Sequence, residues 1–263
     1  MDPSQYKNYI LTLLFVKYVS DKHENDADAL IEVPPGASFS DMVSLKGDKE
    51  IGDKINKIVA KLAEVNDLKG VIDQADFNDD NLLGRGKDMQ DRLTKLIAIF
   101  ESMDFHSNQS GGDDLLGDAY EYLMRNFATE SGKSKGQFYT PAEVSRILAK
   151  VVGIDASVTQ DMTVYDPTCG SGSLLLKAAT EAPNGITIYG QEIDNATWAL
   201  PKMNMILHGI EAPNVIHTNT LGVNIRDIQE KDRHDIILAN PPFGGKERAE
   251  VQQNFDIKTS ETA

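Results

Sequence analysis

The sequence runs from an apolar stretch, Asp235-Ile-Ile-Leu-Ala239, straight into Asn240-Pro241-Pro242-Phe243 and the pair Gly244-Gly245. Two adjacent prolines stiffen the backbone just past a strand and remove two N–H donors, which leaves acceptor carbonyls exposed. An exocyclic amine on a conjugated ring needs such acceptors, because its lone pair is delocalised and it is a poor nucleophile and a poor base. The Asn240 side-chain oxygen and the Pro241 carbonyl can each accept one N–H. Together they draw the amine towards tetrahedral geometry and aim its lone pair at an electrophilic carbon. Positioning and oriented dipoles then take the place of a general base. Phe243 can stack on the ring, and the glycines let the loop close over it. Read as structure alone, the same residues are a strand-ending turn.

A second constellation begins at Asp166-Pro167-Thr168-Cys169-Gly170-Ser171-Gly172-Ser173-Leu174. Glycines there permit a tight turn and close approach of backbone to a ligand. The helix that follows points its free N–H groups at the same place. About 20 residues on stands Glu192, at the end of the next predicted strand, where a carboxylate can accept both hydroxyls of a ribose. A dinucleotide loop would carry a third glycine where this chain has Leu175, and no Gly-Lys-Ser/Thr of a P-loop is present. The Asp-Pro-x-x-Gly-Ser-Gly arrangement instead resembles the cofactor loop of amino-group methyltransferases, which implies that Asp166 sits near the cationic amino group of a methionine moiety. Asn219, after the third predicted strand, stands where that family usually has an acid that accepts from the cofactor's adenine amino group. Its oxygen can accept the same bond, or the residue belongs to a surface turn.

One more candidate precedes these elements. In Gly136-Gln137-Phe138-Tyr139-Thr140-Pro141-Ala142-Glu143, Thr140 and Glu143 have capping-box spacing and Pro141 fits a first helical position. Capping does not account for the adjacent aromatics Phe138 and Tyr139, which suit a wall against a bound ligand.

These residues need a scaffold, and the hydrophobic pattern supplies one. Short apolar runs at Thr163–Tyr165, Ile186–Gln191, Val215–His217 and Asp235–Ala239 read as strands, with helical spacing over Ser173–Ala182 and Asn195–His208. Such alternation predicts a parallel sheet with crossover helices and ligands at the carboxyl ends of its strands. Residues 1–130 read differently, as a helical domain for packing and partner contact. Apolar stripes at helical spacing run through Tyr6, Ile10, Leu13 and Leu14, through Ile55, Ile58, Val59, Leu62 and Val65, through Leu93, Leu96, Ile97 and Phe100, and through Leu115, Leu116, Ala119, Leu123 and Phe127. Residues 131–263 form the second domain. Asp76 to Asp80 starts like a calcium loop, but Asn81 and Lys87 fill the glycine and bidentate-glutamate slots, so no metal site is expected. Gly84-Arg85-Gly86 lacks the strand and spacing of a phosphate loop.

Composition bounds the setting. No apolar run approaches the roughly 18 residues that span a bilayer, and the stretch Tyr9 to Val19 carries Thr12 and Lys17. A single cysteine, Cys169, excludes an internal disulfide and suits a reducing cytoplasm. The net charge of −15 is wrong for a protein that grips nucleic acid alone. Residues 1–130 hold 25 acidic and 14 basic side chains, a net of −11; residues 131–263 hold 16 and 12, a net of −4. The acidity lies mainly away from the candidate site.

In this order the motifs resemble the modification subunit of type I restriction–modification systems, which are adenine-N6 DNA methyltransferases. Gly136 to Pro141, Asp166 to Leu174, Tyr189-Gly-Gln-Glu192, Trp198 to Asn204, Leu207-His-Gly209 and Asn240 to Phe243 carry the likeness, and Tyr6 to Asp21 looks like that family's opening helical segment. The resemblance implies an α/β fold with a Rossmann-like methyltransferase sheet behind an α-helical N-terminal domain. It implies S-adenosyl-L-methionine held by Gln137, Phe138, Tyr139, Thr140, Pro141, Asp166, Thr168, Cys169, Gly170, Ser171, Gly172, Glu192 and Asn219. It implies a flipped-out adenine of double-stranded DNA at Asn240–Phe243. The implied partners are a specificity subunit, a second modification subunit and, where restriction occurs, a nuclease subunit, with no membrane. Three departures stand out. Pro201 falls inside a predicted helix, Asn219 replaces the acid, and the sequence stops at Ala263 soon after the catalytic loop. The last predicts an incomplete sheet with an exposed strand edge, in a fragment. Two other readings remain: an N-methyltransferase acting on a protein glutamine or RNA base, and a non-catalytic assembly fragment.

Overall fold

The computed structural model describes residues 3–23, 26, 28–105, 122–123, 140–195, 197–210, 212–242 and 247–255. Gln137, Phe138, Tyr139 and Phe243 lie outside the described residues, as do Gly244, Gly245 and the predicted stripe positions Leu115, Leu116, Ala119 and Phe127. The chain divides into two compact units, Met1–Tyr120 and Glu121–Ala263.

The first unit is helical: α1 (Pro3–His23), α2 (Phe39–Ser44), α3 (Ile51–Val65), α4 (Asp80–Leu83) and α5 (Lys87–Glu101). Helices α3 and α5 follow the predicted stripes, burying Ile55, Ile58, Val59 and Leu62 on one and Leu93, Ile97 and Phe100 on the other. Helix α1 departs from its predicted single stripe. Leu11, Leu13, Leu14, Phe15, Val16 and Val19 are all buried, which takes in every side of the helix. Several of its polar groups tolerate this because they find partners. The Thr12 hydroxyl donates to the Ile72 carbonyl at 2.8 Å, and Tyr9 Oη to the Asp76 carbonyl at 2.9 Å. Lys17 and Asp21 pair one turn apart at 2.6 Å, and Asp21 also accepts the Phe105 N–H at 3.0 Å. The calcium-like acidic stretch ends in a helix cap: Asp79 accepts the Asn81 N–H at 2.8 Å, opening α4. No helix among the described residues is long and apolar enough to cross a membrane.

The second unit holds α6 (Ala142–Val151), β1 (Thr163–Asp166), α7 (Ser173–Glu181), β2 (Thr187–Glu192), α8 (Ala199–Leu207), β3 (Asn214–His217), β4 (Ile236–Ile237) and α9 (Ala249–Gln252). The strands form one parallel sheet in the order β3-β2-β1-β4. The chain is thus of the α/β class that the alternation predicts, with helices ahead of a parallel sheet. Val164, Ile188, Val215 and Leu238 face a core completed by Leu174, Leu175 and Ala178 of α7, Ala149 of α6 and Met205 of α8. On the opposite face the rings of Tyr165 and His234 stack 4.6 Å apart. From β1 the chain steps one way to β2 and β3, then returns to place β4 on the other side of β1. The crevice beyond the carboxyl ends of β1 and β4 is therefore the topological switch point, where sheets of this kind bind ligands.

Pro201 does not break its helix, because α8 starts at Ala199 instead of Asn195. The proline falls in the first turn, where a backbone N–H has no partner within the helix to lose.

Candidate active site at the strand ends

Asp166 closes β1 and is buried. Burial pushes its carboxyl up to about 7, the nearby Glu192 adds to the rise, and bonds from Thr168 oppose it. The Thr168 N–H reaches Asp166 Oδ1 at 2.9 Å. Among the described residues, none of the groups that act on this carboxyl is cationic. A buried acid in that state favours a positively charged ligand, which repays the desolvation of its ionised form.

The loop after β1 is shaped by two left-handed glycines, Gly170 (φ 54°) and Gly172 (φ 80°), the latter serving as the N-cap of α7. A Cβ on Gly172 would stand 3.1 Å from atoms of Pro201 and Met205, so the loop also lies close against α8. The Cys169 side chain turns into the core, and a Cβ on Gly190 of β2 would meet its sulfur at 2.9 Å. Burial raises the Cys169 thiol well above its usual range. The Cys169 backbone shapes the loop, its N–H donating to the Gln191 carbonyl at 2.9 Å and its carbonyl accepting the Gly172 N–H at 2.7 Å. Ser171 and Ser173 are buried with their hydroxyls 2.9 Å apart, and the Ser171 carbonyl accepts from Asn204 Nδ2 at 2.9 Å.

Glu192 ends β2 and is buried. Its Oε2 accepts the Gly170 N–H at 3.0 Å, and its Oε1 accepts the N–H groups of Ile193 and Asp194, each at 2.9 Å. The acid thereby ties the glycine loop to the neighbouring strand end. Two residues that the motif reading left without a role lock these ends further. Gln191 Oε1 accepts from Tyr165 Oη and from Thr220 Oγ1, both at 2.8 Å. Their adjacency to Glu192 and Asn219 was the available signal.

Asn219 follows β3 and caps a 3₁₀ turn at Thr220–Gly222, its oxygen accepting the Leu221 N–H at 3.0 Å. Its amide nitrogen donates to Glu247 Oε2 at 3.1 Å. Glu247 had no sequence signal, since the contact depends on how the chain returns after the proline loop.

Asn240, past β4, donates from Nδ2 to Thr140 Oγ1 at 3.2 Å. The expected capping box at Thr140 does not form. Helix α6 starts at Ala142 with Pro141 as its N-cap and no side-chain cap bond, so Glu143 falls one position short of box spacing. The Thr140 hydroxyl serves Asn240 instead. Pro241 and Pro242 are exposed beside them. At the strand ends the structure thus joins Asp166, Thr168, the Gly170 backbone and Glu192 in one set and Asn240 with Thr140 in another, past β4, the strand paired with β1, with Asn219 at the β3 end. A buried acid, a glycine-shaped helix start and a carboxylate at the next strand end can hold a cationic nucleoside. A tethered carboxamide followed by proline carbonyls can hold an amine.

The family model for N-6 DNA Methylase matches residues 111–263. The chain belongs to the N-6 DNA methylase family. Residues 1–100 match the HsdM N-terminal domain as well. The MpnII type I restriction enzyme methylase subunit of Mycoplasma pneumoniae is 26% identical over 92% of the chain and 55% of its own length. The HindI methylase subunit of Haemophilus influenzae is 30% identical over 82% of the chain and 46% of its own length. The crystal structure of a type I restriction–modification methyltransferase subunit from Streptococcus thermophilus superposes with a TM-score of 0.77 at 26% identity, covering 95% of this chain and 61% of that one. The chain spans about half the length of the curated relatives it matches.

Proposed function

We propose that this chain belongs to an adenine-N6 DNA methyltransferase subunit of a type I restriction–modification complex and uses S-adenosyl-L-methionine. The observation that carries the reading is the bond from Asn240 to Thr140, which orients a carboxamide past β4, the neighbour of the strand that Asp166 closes. Asp166 takes the cationic amino group of the methionine moiety, the Thr168–Gly172 backbone lines the pocket, and Glu192 meets the ribose. Gln137, Phe138, Tyr139, Thr140 and Pro141 form the approach to the same pocket. The cofactor, when bound, supplies an electrophilic methyl group. Asn240 and the Pro241 carbonyl accept the two N–H groups of a flipped-out adenine, and Pro242 and Phe243 wall the base. The tethered carboxamide presents its oxygen in one orientation, so little reorganisation is left for the reaction itself.

Double-stranded DNA is the substrate, and the charge balance says how it is held. A chain with a net charge of −15 needs phosphate contacts from elsewhere, which a specificity subunit and a second modification subunit provide, with a nuclease subunit where restriction occurs. Residues 1–130 are the partner-contact domain, residues 131–263 the catalytic domain, and the complex works in the cytoplasm.

Calorimetric titration of S-adenosylmethionine into the wild type and Glu192→Ala tests the pocket. Transfer of labelled methyl to double-stranded DNA in the presence of the specificity subunit tests the reaction. Binding that weakens in the mutant and label found on adenine N6 are the expected results. Label on another acceptor, or none with a folded chain that binds cofactor, would overturn the reading.

A further inference from the structure

With Glu192 at the ribose, the nucleoside's base lies past it towards the end of β3, because β2 and β3 are register neighbours there: Glu192 pairs with His217, and the Thr218 N–H bonds the Glu192 carbonyl at 3.0 Å. An adenine presents an exocyclic amino group, a donor that needs an acceptor. Asn219 is neutral, its oxygen accepting the Leu221 N–H and its nitrogen donating to Glu247, so it offers a base no charge-assisted acceptor. Glu247, in contrast, is a carboxylate of which one oxygen accepts the Arg248 N–H at 2.8 Å and the other the Asn219 amide at 3.1 Å. Each carboxylate oxygen has a second lone-pair direction.

The segment that carries Glu247 is held to the same turn at a second point. Asn254 Nδ2 donates to the Leu221 carbonyl at 2.9 Å, and Gln252 Nε2 to the Glu247 carbonyl at 2.9 Å. Residues 247–255 thus form a strap across the β3 end, and Asn219 orients its acid.

We infer that Glu247 is the residue that selects an adenine-bearing cofactor, accepting the exocyclic amino group in place of an acid at position 219. The inference rests on the proposed S-adenosylmethionine site. It concerns recognition of the cofactor's base and not transfer of its methyl group.

Binding of three ligands to the full chain, measured by calorimetry, separates the possibilities. They are S-adenosylhomocysteine, its counterpart lacking the 6-amino group, and its 6-oxo counterpart. Wild type should prefer the amino ligand over the 6-deamino one by about 10- to 100-fold, the range for a hydrogen bond to a charged group. Glu247→Ala should lose most of that preference while binding the 6-deamino ligand as wild type does. Glu247→Gln keeps an oxygen for Asn219 and gains an N–H₂, so it should bind the 6-oxo ligand better than wild type. That gain is one a merely structural role would not produce. Asn219→Ala should blur the preference in the same direction. If wild type discriminates and both Glu247 variants keep its preference, or lose all three ligands equally, Glu247 does not read the base. If wild type binds none of the three, the cofactor site itself fails.

Discussion

Asn240 and Thr140 are 100 positions apart in sequence, and their side chains are joined by a 3.2 Å hydrogen bond. The bond uses the amide nitrogen of Asn240 and so leaves its oxygen directed as the acceptor. It also explains why a threonine stands ahead of α6 without capping it.

Thr140→Val should therefore slow methyl transfer far more than it weakens cofactor binding. Loss of a positioning contact is expected to lower kcat by about 10- to 100-fold. The stability cost should stay near 1 kcal/mol, the net worth of one hydrogen bond. Single-turnover methylation beside a thermal melt checks both. Equal losses in cofactor affinity and kcat would mean that Thr140 supports the pocket as a whole.

Glu192 accepts three backbone N–H groups, from Gly170, Ile193 and Asp194. In Glu192→Gln one end of the side chain becomes a donor facing donors, so the isosteric change should be harmful. Leaving a buried donor unpaired costs roughly 1–3 kcal/mol. The expected outcome is a lowered melting temperature together with cofactor affinity reduced at least about tenfold. A variant that melts like wild type would show that the glycine loop holds its shape without this acid.

Gly190 and Cys169 form a pair across β2 and the glycine loop. A Cβ at 190 would stand 2.9 Å from the sulfur and 3.2 Å from Leu175 Cδ1. Gly190→Ala should destabilise the chain by about 1–3 kcal/mol through overpacking. Adding Cys169→Ala should return part of that loss, since it removes the nearest obstructing atom. Denaturant melts of both singles and the double give the coupling. Additive effects would mean that strand and loop move apart instead of clashing.

The parallel sheet was legible because strand–helix alternation depends on local periodicity, and all four predicted strands appear. Strand β4 pairs at Ile236–Ile237 only, within the longer predicted run. Less legible were features decided by what packs around a segment. The apolar residues of α1 read as one stripe, yet the helix is buried all round, because its polar side chains find carbonyls at Ile72 and Asp76. Pro201 read as a breaker since the helix start could not be located from spacing. At the site, Asp166, the glycine loop, Glu192 and Asn240 announce themselves through residue type and order. The pairings Asn240–Thr140 and Asn219–Glu247 join residues distant in sequence, and no spacing rule reaches them.

Asp166 gives the site a pH dependence whose sign follows from its burial. Its carboxyl titrates at about 7 in the folded chain against a usual value of 3.8. Between those values the folded state binds more protons than the unfolded, so folding stability falls as pH rises through that window. The total is on the order of a few kcal/mol. Above about 7 both states are ionised and the slope from this group ends. Asp166→Asn should remove that slope and make the cofactor-free chain more stable than wild type at pH 8. A cationic ligand reverses the preference, since it favours the ionised carboxylate. Affinity for S-adenosylmethionine should then rise from pH 6 to pH 8, with a proton released on binding near pH 6. Calorimetry in two buffers of different ionisation enthalpy measures that proton directly. Asp166→Asn should bind weakly with no such release. If the variant releases the same proton as wild type, another group is titrating and Asp166 does not meet the cofactor's charge.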